Sequence, residues 1–350
     1  MITISLCMIV KNEESRLRRC LDSVADLVDE IVIVDTGSTD KTRDIALEYT
    51  KMVYDYEWVD DFSAARNYAF SKATGDYIYS ADADEVLDEE NRKRFLLLKE
   101  TLLPEVEIVQ MRYGGQLRFH TVYNFDREYR PKLFKRLREF VWLGPVHETV
   151  RLEPVVYDSD IVITHLPDSS HAKRDLEVFR RHCSLGWRLP KRLHNMYARE
   201  LLLAGDAEDF AGAEAFFAAS AADGGRDGEE IAQACCVVAH GARLAGDTVK
   251  FFKYASKVIA EEANSEICCE MGHFYEDAKD LEEAAVWYYN AVYETAPILN
   301  RLAGGKEPLE GLLRCYEAMG CPEQAEVYRN ELIRLIAEGE PEPTGGTGVR

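Results

Sequence analysis

Three acids close together carry the strongest chemical signal in this chain. The stretch Gly75-Asp76-Tyr77-Ile78-Tyr79-Ser80-Ala81-Asp82-Ala83-Asp84-Glu85-Val86-Leu87 runs from apolar residues straight into carboxylates. Side chains along an extended segment alternate, so Asp82 and Asp84 project to one side where the strand ends. Like charges held together repel, and a hard divalent cation, or a phosphate-bound one, between them removes that cost. Oxygen ligands suit Mg2+ or Mn2+, with water and substrate phosphate completing the coordination. An isolated Asp-x-Asp is as readily a solvated acidic turn, so its neighbours decide the reading.

Two neighbouring segments share its placement. Lys11-Asn12-Glu13-Glu14 follows an apolar run at 3–10, and Asp35-Thr36-Gly37-Ser38-Thr39-Asp40 follows another at 30–35. Ser38, Thr39 or Asp40 can cap a helix beginning near 41, with Gly37 supplying the tight turn. The same helix start, if its backbone N–H groups are free beside an Asp, can take a ribose hydroxyl and a phosphate. The elements that must position these residues are strands at 3–10, 30–35, 52–54 and 76–81, alternating with helices at 13–27, 39–49 and 61–73. This rhythm predicts a parallel sheet with helices on its faces and ligands at the carboxyl ends of its strands. From Glu105 to Thr164 short strands follow, at 106–113, 117–123, 132–137, 146–152 and 160–164. Basic runs at 130–138 and 173–192 can offset charge on a departing diphosphate, although most cations alternating along 132–138 read as solvent-facing.

With 350 residues, 47% of them hydrophobic, the chain has material for two cores. No apolar run approaches the ~20 residues of a membrane span, and Met1–Val10 reads as a first strand rather than a signal peptide. A formal net charge of -21 argues against generic nucleic-acid binding. The nine cysteines include adjacent pairs, Cys235-Cys236 and Cys268-Cys269, in helical patterns. Such spacing suits neither a disulfide framework nor zinc, and it points to the reducing cytoplasm. From about 196 the chain becomes helical and repetitive. Phe274-Tyr275-Glu276-Asp277-Ala278 matches Cys315-Tyr316-Glu317-Ala318-Met319, and Ala284 matches Ala325. A period near 34 residues, with small residues where helices touch, is the signature of a tetratricopeptide array. The tail from 339, rich in Gly, Pro and Glu, is expected to be disordered.

Four motifs in order, Ser5-Leu6-Cys7-Met8-Ile9-Val10-Lys11-Asn12-Glu13-Glu14, Ile33-Val34-Asp35-Thr36-Gly37-Ser38-Thr39-Asp40, Phe62-Ser63-Ala64-Ala65-Arg66-Asn67 and Ala81-Asp82-Ala83-Asp84-Glu85, resemble those of family 2 glycosyltransferases. The resemblance implies an α/β GT-A domain, a Rossmann-like nucleotide-diphospho-sugar transferase fold, at 1–168. A helical linker at 169–195, tetratricopeptide-like repeats at 196–338 and the tail at 339–350 complete the division. The repeats resemble arrays fused to such enzymes, the S-glycosyltransferases of glycosylated bacteriocins among them. By the same resemblance Asp35 contacts the nucleoside, Arg66 lines the nucleotide site, Asp82 meets the ribose or a metal-bound water, and Asp84 ligates the metal. Val10, Asn12 and Glu13 flank the base, and Gly37 and Ser38 complete the donor site. Gly144-Pro145-Val146-His147-Glu148 is similar to the element that follows an Arg/Lys-Leu-Phe strand in this group, here Lys132-Leu133-Phe134. Glu148 is the expected general base, because an inverting transfer needs a carboxylate on the acceptor side. His147 and His165 are candidate metal or diphosphate contacts, each equally readable as a structural histidine.

The resulting expectation is a cytoplasmic, Mn2+- or Mg2+-dependent inverting hexosyltransferase. It would use a nucleotide-diphosphate sugar, UDP-linked, and a protein, peptide or glycan acceptor. The repeats would engage the acceptor or form a homodimer. Two other classes compete: an adaptor whose transferase-like domain binds nucleotide without turnover, and a nucleotidyltransferase. The intact acids disfavour the first, and the lack of a Gly-rich phosphate loop near the N-terminus disfavours the second.

Overall fold

The first strand, β1 (Ile4–Val10), explains the layering of the N-terminal half. It lies between two parallel neighbours, β2 (Glu30–Asp35) and β4 (Tyr77–Ser80), and is apolar almost throughout because both its faces are covered. Ile4, Leu6, Met8 and Val10 pack with Leu17, Cys20, Leu21 and Val24 of helix α1 (Leu17–Val24). Cys7 faces the opposite layer with Val32, Val34, Ala69 and Ile78. That layer holds α3 (Phe62–Phe70), whose first turn is capped by Asp61 accepting from the Ala64 N–H at 3.1 Å. Between them come α2 (Thr42–Tyr49) and the short edge strand β3 (Val53–Asp55).

This computed structural model describes residues 2–114, 128–138, 142–143, 149–150, 155–166 and 172–339, and the chain divides into two units, Met1–Val178 and Phe179–Arg350. In the first, the elements after β4 are β5 (Glu85–Val86), α4 (Glu89–Thr101), β6 (Ile108–Gly114), β7 (Glu128–Lys135), β8 (Trp142–Leu143), β9 (Thr149–Val150), β10 (Val156–His165) and α5 (Ala172–Ser184), which runs on into the second unit. Among the described residues the main sheet has eight strands in the order β3-β2-β1-β4-β7-β6-β10-β5. It is parallel through β4, as the βαβ rhythm predicts. Beyond that it is mixed: β7 runs antiparallel to both β4 and β6, and β5 antiparallel to β10. In this half antiparallel pairs alternate with a parallel one, since β10 runs parallel to β6, and the antiparallel neighbours β6 and β7 follow each other in the chain with no helical pattern between them. Helix α4 was given no place by the sequence; Asp88 caps it and Phe95 anchors it against Tyr79. The strand expected at 117–123 lies outside the described residues, as does most of 146–152.

In the second unit the helices are α6 (Lys191–Ala204), α7 (Ala207–Ser220), α8 (Gly228–Leu244), α9 (Thr248–Glu261), α10 (Ser265–Asp277), α11 (Leu281–Tyr293), α12 (Lys306–Ala318) and α13 (Pro322–Gly339). Their repeat has a local cause. Gly246, Lys279 and Gly320 each take a left-handed conformation just past a helix, and Asp247 and Asp280 then cap the next one. Tyr288, fully buried, lies between Gly272 and Gly311: a Cβ on either would stand 2.5 or 2.6 Å from its ring. Absence of a side chain at both is what lets this aromatic fill the space between α10, α11 and α12.

Candidate active site

Parallel register aligns the carboxyl ends of the first strands, setting Val10 beside Asp35 and Cys7 beside Ser80. Past β1 the chain turns through Asn12, at φ +55, a conformation that Asn tolerates better than most residues. The Asn12 N–H donates to Ser38 Oγ at 3.0 Å, and Asn12 Oδ1 accepts from the Thr39 N–H at 2.8 Å. Asp35 Oδ1 accepts from the Gly37 and Ser38 N–H groups at 3.1 and 2.8 Å. Glu14 takes the Lys41 N–H and Asp40 the Thr42 N–H, both at 2.9 Å. The N–H groups of Gly37, Ser38, Thr39, Lys41 and Thr42 are therefore engaged by side chains of these two loops, and the expectation that they are free for a phosphate is corrected. Ser38 joins two loops instead of capping the helix, and Asp40 bonds the first turn. Asp35 is buried, with only Oδ1 committed to these bonds.

The acidic turn is built differently. Four residues, 81–84, join β4 to β5, yet β7, β6 and β10 stand between those strands in the sheet. A tight turn, Glu85 N–H to the Asp82 carbonyl at 3.1 Å, closes that interval only because the sheet coils its far edge back toward β4. Register then sets Glu85 against His165, and the Leu166 N–H donates to the Asp84 carbonyl at 2.9 Å. The side chains follow: His165 Nε2 meets Asp84 Oδ2 at 3.0 Å. Of the expected metal contacts, Asp84 and His165 are thus brought together. His147, with the expected base Glu148, lies outside the described residues.

Asp82 is held from the other side. Arg66 of α3 places Nη2 2.7 Å from Asp82 Oδ1 and donates through Nη1 to Ser80 Oγ at 3.0 Å. Its guanidinium also lies 4.8 Å from the centroid of the Trp142 ring. Burial would raise the Asp82 carboxyl, but Arg66 and then Lys132 outweigh it and hold the group below the usual carboxylate range. Glu13 is pushed up to about 7: burial dominates, Arg16 and Arg174 oppose it, and Asp84 and Asp82 add to it. Arg174, at the start of α5, stacks 4.7 Å from the ring centroid of Phe62, one helical turn before Arg66.

Whether these groups fit a cation follows from their chemistry. The Asp84 oxygen and His165 nitrogen stand at hydrogen-bond distance, 3.0 Å, which is also roughly the separation of cis ligands on an octahedral ion with bonds of about 2.1 Å. Among the described residues no group of three or more His, Cys, Asp or Glu side chains gathers into a cation cage. The pair therefore suits an ion that draws its other ligands from water and a substrate phosphate, as Mg2+ characteristically does. A cleft of about 590 Å³ at the opposite ends of the strands is lined by Asp29 and Glu30. Their carboxylates are occupied by the Ile4 N–H and Lys99 and by Ser5 and Thr74.

Residues 5–151 match the family model described as glycosyl transferase family 2. Within the N-terminal unit, these residues are similar to a family 2 glycosyltransferase domain. Similar curated proteins include a TPR repeat-containing protein of Synechococcus elongatus, 54% identical over 87 residues, 25% of this chain and 22% of that one. Another is the SPbeta prophage-derived glycosyltransferase SunS of Bacillus subtilis, 33% identical over 162 residues, 45% of this chain and 36% of that one. The matches thus span about a fifth and a third of those relatives. Among solved structures, glucosyl-3-phosphoglycerate synthase of Mycobacterium tuberculosis, in complex with Mn2+ and UDP-glucose, overlaps with a TM-score of 0.41 at 15% identity. That overlap covers 53% of this chain and 78% of that one.

Sequence reasoning missed part of this candidate site. Lys132 is buried against Glu85, and Tyr113 lies between Lys132 and His165. The available signal was the spacing Arg130-x-Lys132, which puts two cations on one face of β7.

Proposed function

We propose that the glycosyltransferase domain moves a sugar, with inversion, from a UDP-linked donor to a hydroxyl or thiol of a protein, peptide or glycan, and that it requires Mn2+ or Mg2+. The observation that carries this reading is the contact between Asp84 and His165 beside Asp82, at the carboxyl end of β4. Asp84 and His165 would hold the cation, whose chemistry there would be to offset negative charge on a departing diphosphate. Arg66 keeps Asp82 ionised and in place toward the ribose or a metal-bound water. Asp35, whose charge is only partly used within its loop, accepts a hydrogen bond from the nucleoside. As the acceptor oxygen or sulfur bonds to the anomeric carbon, the bond from that carbon to the diphosphate oxygen breaks, and Glu148 takes the acceptor's proton. Nine unpaired cysteines support a reducing, cytoplasmic setting, and no helix among the described residues is long and apolar enough to cross a membrane. The helix pairs of the second unit offer a surface for the acceptor or for a second copy of the chain.

Calorimetric titration of UDP, GDP and ADP with and without Mn2+, followed by turnover of the matching sugars, tests the proposal. It expects Mn2+-dependent binding of UDP above the other two. Equal binding of all three, or UDP binding indifferent to Mn2+ and EDTA, overturns it.

A further inference from the structure

Immediately after Asp84, the Glu85 carboxylate is almost completely buried, with a side-chain exposure of 2%, and its partner is the ammonium of Lys132, at 8%. A buried ion pair is weak evidence for stability, since an apolar pair of similar volume commonly serves the fold as well or better. Stability alone does not call for it. The pair does not stand alone. The Lys132 ammonium lies 5.2 Å from the centroid of the Tyr113 ring, and that ring lies 5.2 Å from the imidazole of His165. Arg130 stacks 4.2 Å from the Tyr113 centroid. Glu85 is also the residue whose backbone registers against His165. A closed circuit results, from Asp84 through Glu85, Lys132 and Tyr113 to His165 and back to Asp84, drawing on β5, β7, β6 and β10.

We infer that Lys132 is a positioning residue for the cation site: it fixes Glu85, and through Tyr113 the His165 ring, so that the Asp84 carboxylate and the imidazole stay at ligand spacing. This rests on the proposed metal-dependent reading of the same site. Outer partners of this kind typically change metal affinity by 10–100-fold when removed.

The test uses the full chain and Mn2+ itself as probe, titrated against the UDP-saturated protein and followed by the paramagnetic resonance of free Mn2+. Lys132→Met leaves Glu85 buried without a partner and is liable to unfold, so the decisive variant is the apolar pair Lys132→Met with Glu85→Leu. A variant that melts at or above the wild-type temperature but binds Mn2+ about 10–100-fold more weakly supports the inference, as does near-wild-type binding in Lys132→Arg. Wild-type Mn2+ affinity in the folded apolar pair overturns it and leaves the ion pair a structural feature. If the wild-type chain itself binds no Mn2+ with UDP, the metal-dependent reading falls first and takes this inference with it.

Discussion

Asp35 can be tested by two substitutions that separate its charge from its shape. Asparagine keeps an oxygen for the Gly37 and Ser38 N–H groups, whereas alanine leaves both without their acceptor. Asp35→Asn should weaken UDP binding by ~1.5–3 kcal/mol, the range of a charged hydrogen bond, with little change in melting temperature. Asp35→Ala should lose the same binding and also melt earlier. Calorimetry showing wild-type UDP affinity in both would remove Asp35 from the nucleoside site. If Asp84 holds the proposed cation, Asp84→Asn should abolish Mn2+-dependent donor turnover in a protein that still folds, because asparagine keeps the shape and an oxygen near His165 but not the charge. Unchanged turnover would sink the metal assignment. Glu148→Gln should lower transfer to an alcohol by about 10²–10⁴-fold while donor affinity holds. The loss should be smaller for a thiol acceptor, which is partly ionised near neutral pH. If sugar transfer by that variant runs at the wild-type rate, the base lies elsewhere.

At the level of elements, the tightest packing surrounds Tyr288. Gly272→Ala drives a methyl into its ring, and overpacking of this kind costs ~1–3 kcal/mol; urea melts should show it, and wild-type stability would mean that the ring has room to move. Much of this layer was legible in the sequence. Val10, Asp35 and Asp82 could be placed at strand ends because continuous apolar runs mark covered parallel strands and the loops follow directly. Asp84 and His165 could be named but not paired, since their contact depends on the coiling of the sheet, which periodicity does not encode. Lys132 was harder still. In a string of alternating cations it is indistinguishable from Lys135 or Arg136, and only the arrival of Glu85 over β7 shows that it points inward. Free N–H groups before α2 were a reasonable inference from composition, but the same Ser, Asp and Asn residues that suit a ligand turned out to satisfy the loop.

For the whole molecule, the two units should respond separately to perturbation. Glu270 of α10 is buried and bonded to His240 at 2.6 Å and Arg243 at 2.7 Å. Burial opposes its ionisation, but His240 and Arg243 prevail and bring it down to about 2. In the unfolded chain a glutamate titrates near 4.3, so this carboxylate stabilises the helical unit above that value and loses its contribution as pH falls toward 2. Urea melts between pH 5 and 2 should fall more steeply for the wild type than for Glu270→Gln, and parallel slopes would contradict this. A chain ending at residue 195 should retain Mn2+-dependent UDP binding if the first 168 residues form the transferase domain; a folded fragment without it would show the division to be wrong. The coiled closure of the sheet also sets an order of events during synthesis. Asp84 is made 81 positions before its partner His165, and the strand that delivers that partner is the last in the sheet. While the ribosome is still extending β6 and β7, the early strands can already pair, but the acidic turn has nothing to close against. The Asp84–His165 pair thus forms in one late step, so an interrupted chain would hold a nearly complete sheet with the proposed site unassembled.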